Sequence, residues 1–203
     1  MRAQRLHCTD KARIEVADVE IPSPGAGQIL VANACTAVSV GTELYVWLNG
    51  AEPGRPPSFP HPTGYCSAGT VIDKGPGVAG VEIGDRVAGQ GCHASHQLLD
   101  SLFHRIPDGV AWEDAVYLVM AAIAIRAVRK GRLTLGESLV VLGAGIVGQL
   151  ALSLSRLSGA LPAIAVDLDD SRLDHALRRG ADCAINPGTT DDVIDAVCDV
   201  CID

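Results

Sequence analysis

The sequence has no long apolar run. Its longest, Ala115 to Ile125, is too short to span a bilayer and runs straight into Arg126. The opening Met1-Arg2-Ala3-Gln4-Arg5-Leu6-His7 has no apolar h-region and does not read as a signal peptide. Basic residues are in the minority, 16 Lys and Arg against 24 Asp and Glu for a net charge of −8. That balance argues against a nucleic-acid partner or an anionic membrane surface. Internal repeats and low-complexity tracts are absent. The seven cysteines are odd in number and scattered, so they do not form a disulfide framework. They read as reduced, mostly buried thiols of a cytoplasmic protein. With 203 residues, 48% hydrophobic and 20% charged, the chain can bury a sizeable core in one or two domains.

The first hundred residues show short β-type runs at 3–8, 12–19, 28–37, 67–73, 86–89 and 95–100. Turn residues punctuate them: Thr9-Asp10-Lys11, Pro22-Ser23-Pro24-Gly25, Gly75-Pro76-Gly77 and Ile83-Gly84-Asp85. This pattern predicts a compact β-barrel or sandwich. Residues 49–64, rich in proline and glycine, predict a rigid irregular loop. After Pro107-Asp108-Gly109 the period becomes helical from Trp112 to Arg129, with Asp108 or Ala111 near the start and Gly131 near the end. Four runs, 138–142, 162–166, 182–185 and 198–202, then read as parallel strands. The expected domains are 1–110, a linking helix over 111–134, and a parallel α/β unit over 135–203. A full dinucleotide fold has about six such strands, and 198–202 has no helix after it. The expectation is therefore a fragment of a longer protein. Cys198 and Cys201 read as residues of one strand that face opposite ways.

The richest stretch is Ser138-Leu-Val-Val-Leu-Gly143-Ala-Gly145-Ile-Val-Gly148. An apolar strand stops at glycines spaced G-x-G-x-x-G. A helix-favouring segment follows, then the apolar run Ala163–Val166 ending at Asp167, 22 residues after Gly145. Each part has a job in binding a dinucleotide. Gly143 allows the tight turn, Gly145 lets a pyrophosphate approach the backbone, and Gly148 lets the helix pack on the sheet. The first turn, with Ile146 and Val147, offers unpaired N–H groups to the anion. Asp167 accepts from the ribose hydroxyls and repels a 2′-phosphate, which favours NAD over NADP. Arg172 can reach a phosphate but reads more simply as a solvated residue opening the next helix.

Together the halves resemble the medium-chain dehydrogenase/reductase family. The residues that carry this are Gly41-Thr42-Glu43-Leu44, Gly64-Tyr65 leading into Gly69-Thr70-Val71, Gly75-Pro76-Gly77-Val78, Gly84-Asp85-Arg86-Val87, His93-Ala94, Ile106-Pro107, Leu135-Gly136-Glu137 and the glycine fingerprint. The resemblance implies an α/β plus β fold: a GroES-like β-barrel catalytic domain before a Rossmann domain, with the cofactor in the cleft between. It also implies a homodimer when full length. The chain departs from zinc-dependent members, which carry Cys-Gly-Thr/Ser-Asp where Val40-Gly41-Thr42-Glu43 stands and Gly-His-Glu where Gly64-Tyr65-Cys66 stands. The cysteine-rich structural-zinc lobe is missing too, since Gly89 leads directly into Gln90-Gly91-Cys92-His93. Catalytic zinc takes three protein ligands, so no metal is expected. Cys66, Cys92, His93 and His96 are an alternative ligand set, set aside here. The pattern looks most like the zinc-less branch that contains bacteriochlorophyllide a dehydrogenase, whose substrate does not carry over.

The resemblance implies hydride transfer between nicotinamide and a small-molecule alcohol or carbonyl. Without zinc, hydrogen bonds must stabilise the oxyanion. Thr42 falls where the family places a hydroxyl relay between substrate and cofactor ribose. Tyr65 replaces a zinc-ligand histidine and is expected in the emptied metal site. Tyr45 lies near the place of a relay histidine. Glu43 is expected to orient neighbours or pair with a basic side chain. His61 and His93 read as structural, while Trp47 and Phe59 line a pocket or the core. Two other readings stay open: an NAD(P)H-dependent quinone or enone reductase, against which Asp167 speaks, and a dinucleotide-binding protein without turnover.

Overall fold

The computed structural model describes residues 1–50, 54–56, 58–100 and 102–201. The chain divides into two units, Met1–Val119 and Met120–Asp203.

In the first unit, β1 (Arg2–Asp10), β2 (Arg13–Glu20) and β3 (Ile29–Thr36) precede α1 (Val40–Asn49). Then come β4 (His61–Pro62), β5 (Ser67–Lys74), β6 (Arg86–Gly89), β7 (His96–Leu99), β8 (Phe103–Arg105) and the one-turn α2 (Trp112–Ala115). Two antiparallel sheets result, ordered β2-β1-β4 and β7-β3-β5-β6-β8. Ile29, Leu30 and Val31 are all buried. Ile29 and Val31 join Val71, Val81, Val87 and Leu99 in one cluster, while Leu30 joins Ala3 and Ile21 in another. Burial on both faces is why this part of β3 is a continuous apolar run without alternation.

Sequence pattern did not announce α1. Apart from Glu43, Leu44 and Leu48, its residues Val-Gly-Thr-Glu-Leu-Tyr-Val-Trp-Leu-Asn are modest or poor helix formers, β-branched, aromatic, Asn and glycine. Tertiary contacts decide its conformation. It closes on Gly50 in the left-handed region (φ 73°), whose N–H returns to the Val46 carbonyl. A side chain there would collide with the Phe59 ring. The irregular loop expected over 49–64 is thus bounded by α1 and β4, and residues 51–53 and 57 of it lie outside the described residues.

The second unit holds α3 (Leu118–Gly131, from just before the boundary), β9 (Leu139–Leu142), α4 (Ile146–Leu157), β10 (Ala163–Val166), α5 (Asp170–Arg178), β11 (Cys183–Ile185) and α6 (Val193–Cys198). The sheet is parallel, ordered β11-β10-β9. All four residues of β10 are buried. Ala163 and Ala165 pack with Leu152, Leu173 and Ala176, and Ile164 and Val166 pack with Ile185 and Val193. The alanines leave room for α4 and α5 on one face. β9 forms the sheet edge, and an open groove of about 930 Å³ runs beside it, lined by Ala127 and Val128 of α3, the strand itself, and Ala151 and Ser155 of α4. Among the described residues no helix is long and apolar enough to cross a membrane.

Three expectations need correction. The helix expected over 111–134 is broken: α2 ends at Ala115, the chain tightens to an i→i+3 bond from Tyr117 N–H to the Asp114 carbonyl (3.3 Å), and α3 ends at Gly131. The strand expected over 198–202 is instead the end of α6 and the turn after it, with Ile202 outside the described residues. Asp192 caps α6 by accepting from the N–H groups of Ile194 (2.8 Å) and Asp195 (3.1 Å). Val193, Ala196, Val197, Val200 and Cys201 pack together at positions i, i+3, i+4, i+7 and i+8, a helical period. The shared strand of Cys198 and Cys201 falls with it: Cys198 is exposed and Cys201 half-buried.

Leu152 is fully buried in a cluster otherwise made of alanines and Leu173. Leu152→Ala should cost about 2–5 kcal/mol of stability, read from urea denaturation.

Candidate active site

In the second unit, β9 and β10 run side by side with Leu142 opposite Val166, so Gly143 and Asp167 emerge at the same end of the sheet. Gly143 turns the chain at φ 93°, a conformation that favours glycine. Gly145 caps α4. Gly148 packs directly on the Gly143 carbonyl and against Val141, leaving no room for a Cβ. Around Gly145, by contrast, a Cβ would meet nothing within 4 Å. The first-turn N–H groups of Ile146, Val147 and Gly148 have no intrahelical acceptor.

Asp167 closes this turn. One carboxylate oxygen accepts from the Ala144 N–H (2.7 Å), the other from the Asp169 N–H (2.9 Å). Its side chain is 9% exposed, and the Arg172 guanidinium stands 3.6 Å away. The Asp169 N–H, helped by that of Ala144 and by Arg172, outweighs burial and holds the carboxyl below its ordinary 3.8. Arg172 is half-exposed and also lies 3.7 Å from Asp169. Sequence reasoning missed Gln149, whose amide donates to the carbonyls of Ala144 (3.1 Å) and Arg172 (2.8 Å), tying the glycine turn to α5.

In the first unit, three segments, 36–43, 64–65 and His93, converge on a polar cluster. His93 Nε2 meets Glu43 Oε2 at 2.7 Å, with the two side chains 8% and 14% exposed. His93 Nδ1 lies 2.8 Å from Thr36 Oγ1. The other Glu43 oxygen accepts the Ser39 N–H at 2.6 Å. Ser39 precedes α1, yet its hydroxyl caps no helical N–H; it accepts instead from the Tyr65 hydroxyl at 2.6 Å. Gly64, at φ 85°, lies against the His93 ring where a Cβ would collide.

Glu43 and Tyr65 are therefore joined through Ser39. Thr42 is exposed beside Glu43 on α1, and Tyr45 is 42% exposed on the same helix. Trp47, Phe59 and His61 are half-buried. The alternative ligand set does not assemble: Cys92 faces Gln97 (3.6 Å), His96 faces Ser95 (3.2 Å) and His93 is taken by Glu43. Among the described residues no three or more His, Cys, Asp or Glu side chains stand where they could hold one metal ion. Thr36, Ser39 and the role of His93 were not read from sequence. The one available signal was Ser39 four residues before Glu43, close to a capping-box spacing.

No family model matches the chain. The chain is 30% identical over 219 residues to L-threonine 3-dehydrogenase of Pyrococcus abyssi, an alignment that covers 92% of this chain and 62% of the relative. Its fold matches a putative zinc-binding dehydrogenase from Sinorhizobium meliloti, solved bound to NADP, at a TM-score of 0.84 and 21% identity over 94% of this chain and 64% of that one. It also matches an Escherichia coli alcohol dehydrogenase solved with NADH, at a TM-score of 0.84 and 21% identity over 98% and 66%. In sequence the chain is thus similar to curated dehydrogenases, and its fold matches dehydrogenases of solved structure. It spans less than two thirds of the length of the curated relatives it matches.

Because the Asp167 pKa is lowered by folding, its contribution to stability is present above the unfolded value and is lost as pH falls through the folded one. Urea denaturation between pH 5 and pH 2 should show a smaller acid loss in Asp167→Asn than in the parent. Gly64→Ala forces both a strained φ and a clash with His93, and should cost about 1–3 kcal/mol in thermal denaturation.

Proposed function

We propose that this polypeptide is the catalytic and dinucleotide-binding portion of an NAD-dependent oxidoreductase that moves hydride between nicotinamide and an alcohol or carbonyl without zinc. The observation that carries this is the contrast at the glycine turn. Gly148 has no space for a side chain, while Gly145 has space that nothing fills. The first serves the fold; the second suits a backbone that a pyrophosphate must approach. The residues fit the group: the N–H groups of Ile146, Val147 and Gly148 would donate to the pyrophosphate, and the remaining lone pairs of Asp167 would accept from the adenosine ribose. A bound dinucleotide supplies the hydride donor or acceptor.

The chain's own residues do the rest. For the single Tyr65 proton to reach the developing oxyanion, its bond with Ser39 reverses, the Ser39 hydroxyl then donating to the phenol oxygen. Thr42 relays a hydrogen bond to the substrate oxygen, and Tyr45 is a further hydroxyl on the same helix. Glu43 orients the start of α1. The donor set supports a metal-free reading, because Val40 offers no ligand atom, Tyr65 is engaged with Ser39, and His93 with Glu43. Asp167 and Asp169 oppose a 2′-phosphate, while Arg172, spread between them, offsets part of that charge.

Fluorescence titration should show NADH binding more tightly than NADPH; the reverse order refutes the cofactor assignment. Gly145→Ala should keep the melting temperature while weakening NADH by about tenfold or more. On a panel of simple ketones and secondary alcohols, Thr42→Ala and Tyr65→Phe should each lower kcat by about 10²-fold. Unchanged turnover in both would remove their assigned roles.

A further inference from the structure

Thr36, Ser39 and Glu43 lie at the junction of β3 and α1 and Gly64-Tyr65 on a separate segment, and one side chain reaches all but Ser39 and Tyr65 directly. His93 bonds Thr36 and Glu43 and packs on Gly64. Through Glu43 it also governs Ser39, and through Ser39 the phenol of Tyr65. We propose that His93 is a positioning residue: acting through Glu43, it sets the direction of the Tyr65 and Thr42 hydroxyls for the hydride step, an inference that rests on the functional reading above.

The argument is one of polar satisfaction in a buried place. A carboxylate only accepts, so Nε2 carries the proton that Glu43 takes, and in the neutral ring Nδ1 accepts the Thr36 hydroxyl proton. Both Glu43 oxygens are used, one by His93 and one by the Ser39 N–H. Neither side chain can turn away without leaving a buried polar atom unpaired, which costs more than the bond itself contributes. With the Ser39 backbone held, its hydroxyl stays within reach of Tyr65. Thr42, adjacent to Glu43 in the same helical turn, has its backbone held by the same anchor. No continuous proton path is implied, since Glu43 holds the Ser39 amide and Tyr65 holds the Ser39 hydroxyl.

The test uses the 203-residue protein with ¹³Cζ-labelled tyrosine and ¹⁵N-labelled backbone, with Tyr65 assigned by Tyr65→Phe. In His93→Leu, which keeps volume but no polar atoms, the Tyr65 ¹³Cζ signal and the Ser39 amide proton should both move toward solvent-exposed positions. In His93→Gln, whose amide can donate to Glu43 and accept from Thr36, both should return. Turnover of the ketone panel should fall up to about 10²-fold in the Leu variant, the cost of a small misplacement, with KM for NADH unchanged, and should recover in the Gln variant. If His93→Leu folds with both resonances at parental positions, or if Gln restores nothing that Leu loses, the proposal is wrong. Should the Leu variant not fold, the Gln variant decides: resonances displaced from the parent overturn it, and resonances retained uphold it. A parent protein that binds no NADH overturns the functional reading alone, because the two resonances still report the contact.

Discussion

A carboxylate and an imidazole held together away from water tolerate no unmet partner. Desolvating both is costly, and the attraction between them repays the cost only if every remaining polar atom is also bonded. The Glu43–His93 pair meets that condition by recruiting Thr36 and the Ser39 backbone. In doing so it fixes the end of β3, the start of α1 and the loop before β7 relative to one another. A segment of modest helix formers becomes α1 because its first turn is anchored at both Ser39 and Glu43 and its last turn is closed by Gly50. Local propensity is subordinate to a tertiary demand.

The parallel unit obeys a different constraint, that of distance. The start of α4 must lie almost on the end of β9, and only glycine at 148 allows the backbones to approach so closely. Alanine at 163 and 165 continues the theme beneath the helices. Once α4 is seated, its unpaired amides, the carboxylate of Asp167 and the Gln149 brace are all brought to one end of the sheet. Polar chemistry there is a consequence of close apolar packing lower down.

Sequence pattern gave good access to whatever depends on local period. The six β runs of the first hundred residues, the glycine turn and the strands at 138–142, 162–166 and 182–185 all lie on observed elements. Failures came where a period was misread or overruled. Val193 to Cys201 carries a helical spacing that two cysteines and two valines at its end disguised as a strand. α1 was invisible because its anchors are 50 residues apart in sequence. The candidate site shows the same division. Glycines 143, 145 and 148 and Asp167 follow a linear spacing, and Thr42, Glu43 and Tyr65 came through family resemblance. His93 looked like a lone loop histidine because its partners appear only when the chain folds.

β9 has a further implication for how this polypeptide behaves in a tube. It is an edge strand of four apolar residues, its outer row of amides lies beside an open groove, and Leu142 is 78% exposed. Within Leu139–Leu142 there is no proline or charge, two of the devices by which edges are ordinarily kept from recruiting strangers. An edge of this kind is a template on which a strand of another chain can pair, with a net charge of −8 opposing the approach of a second copy.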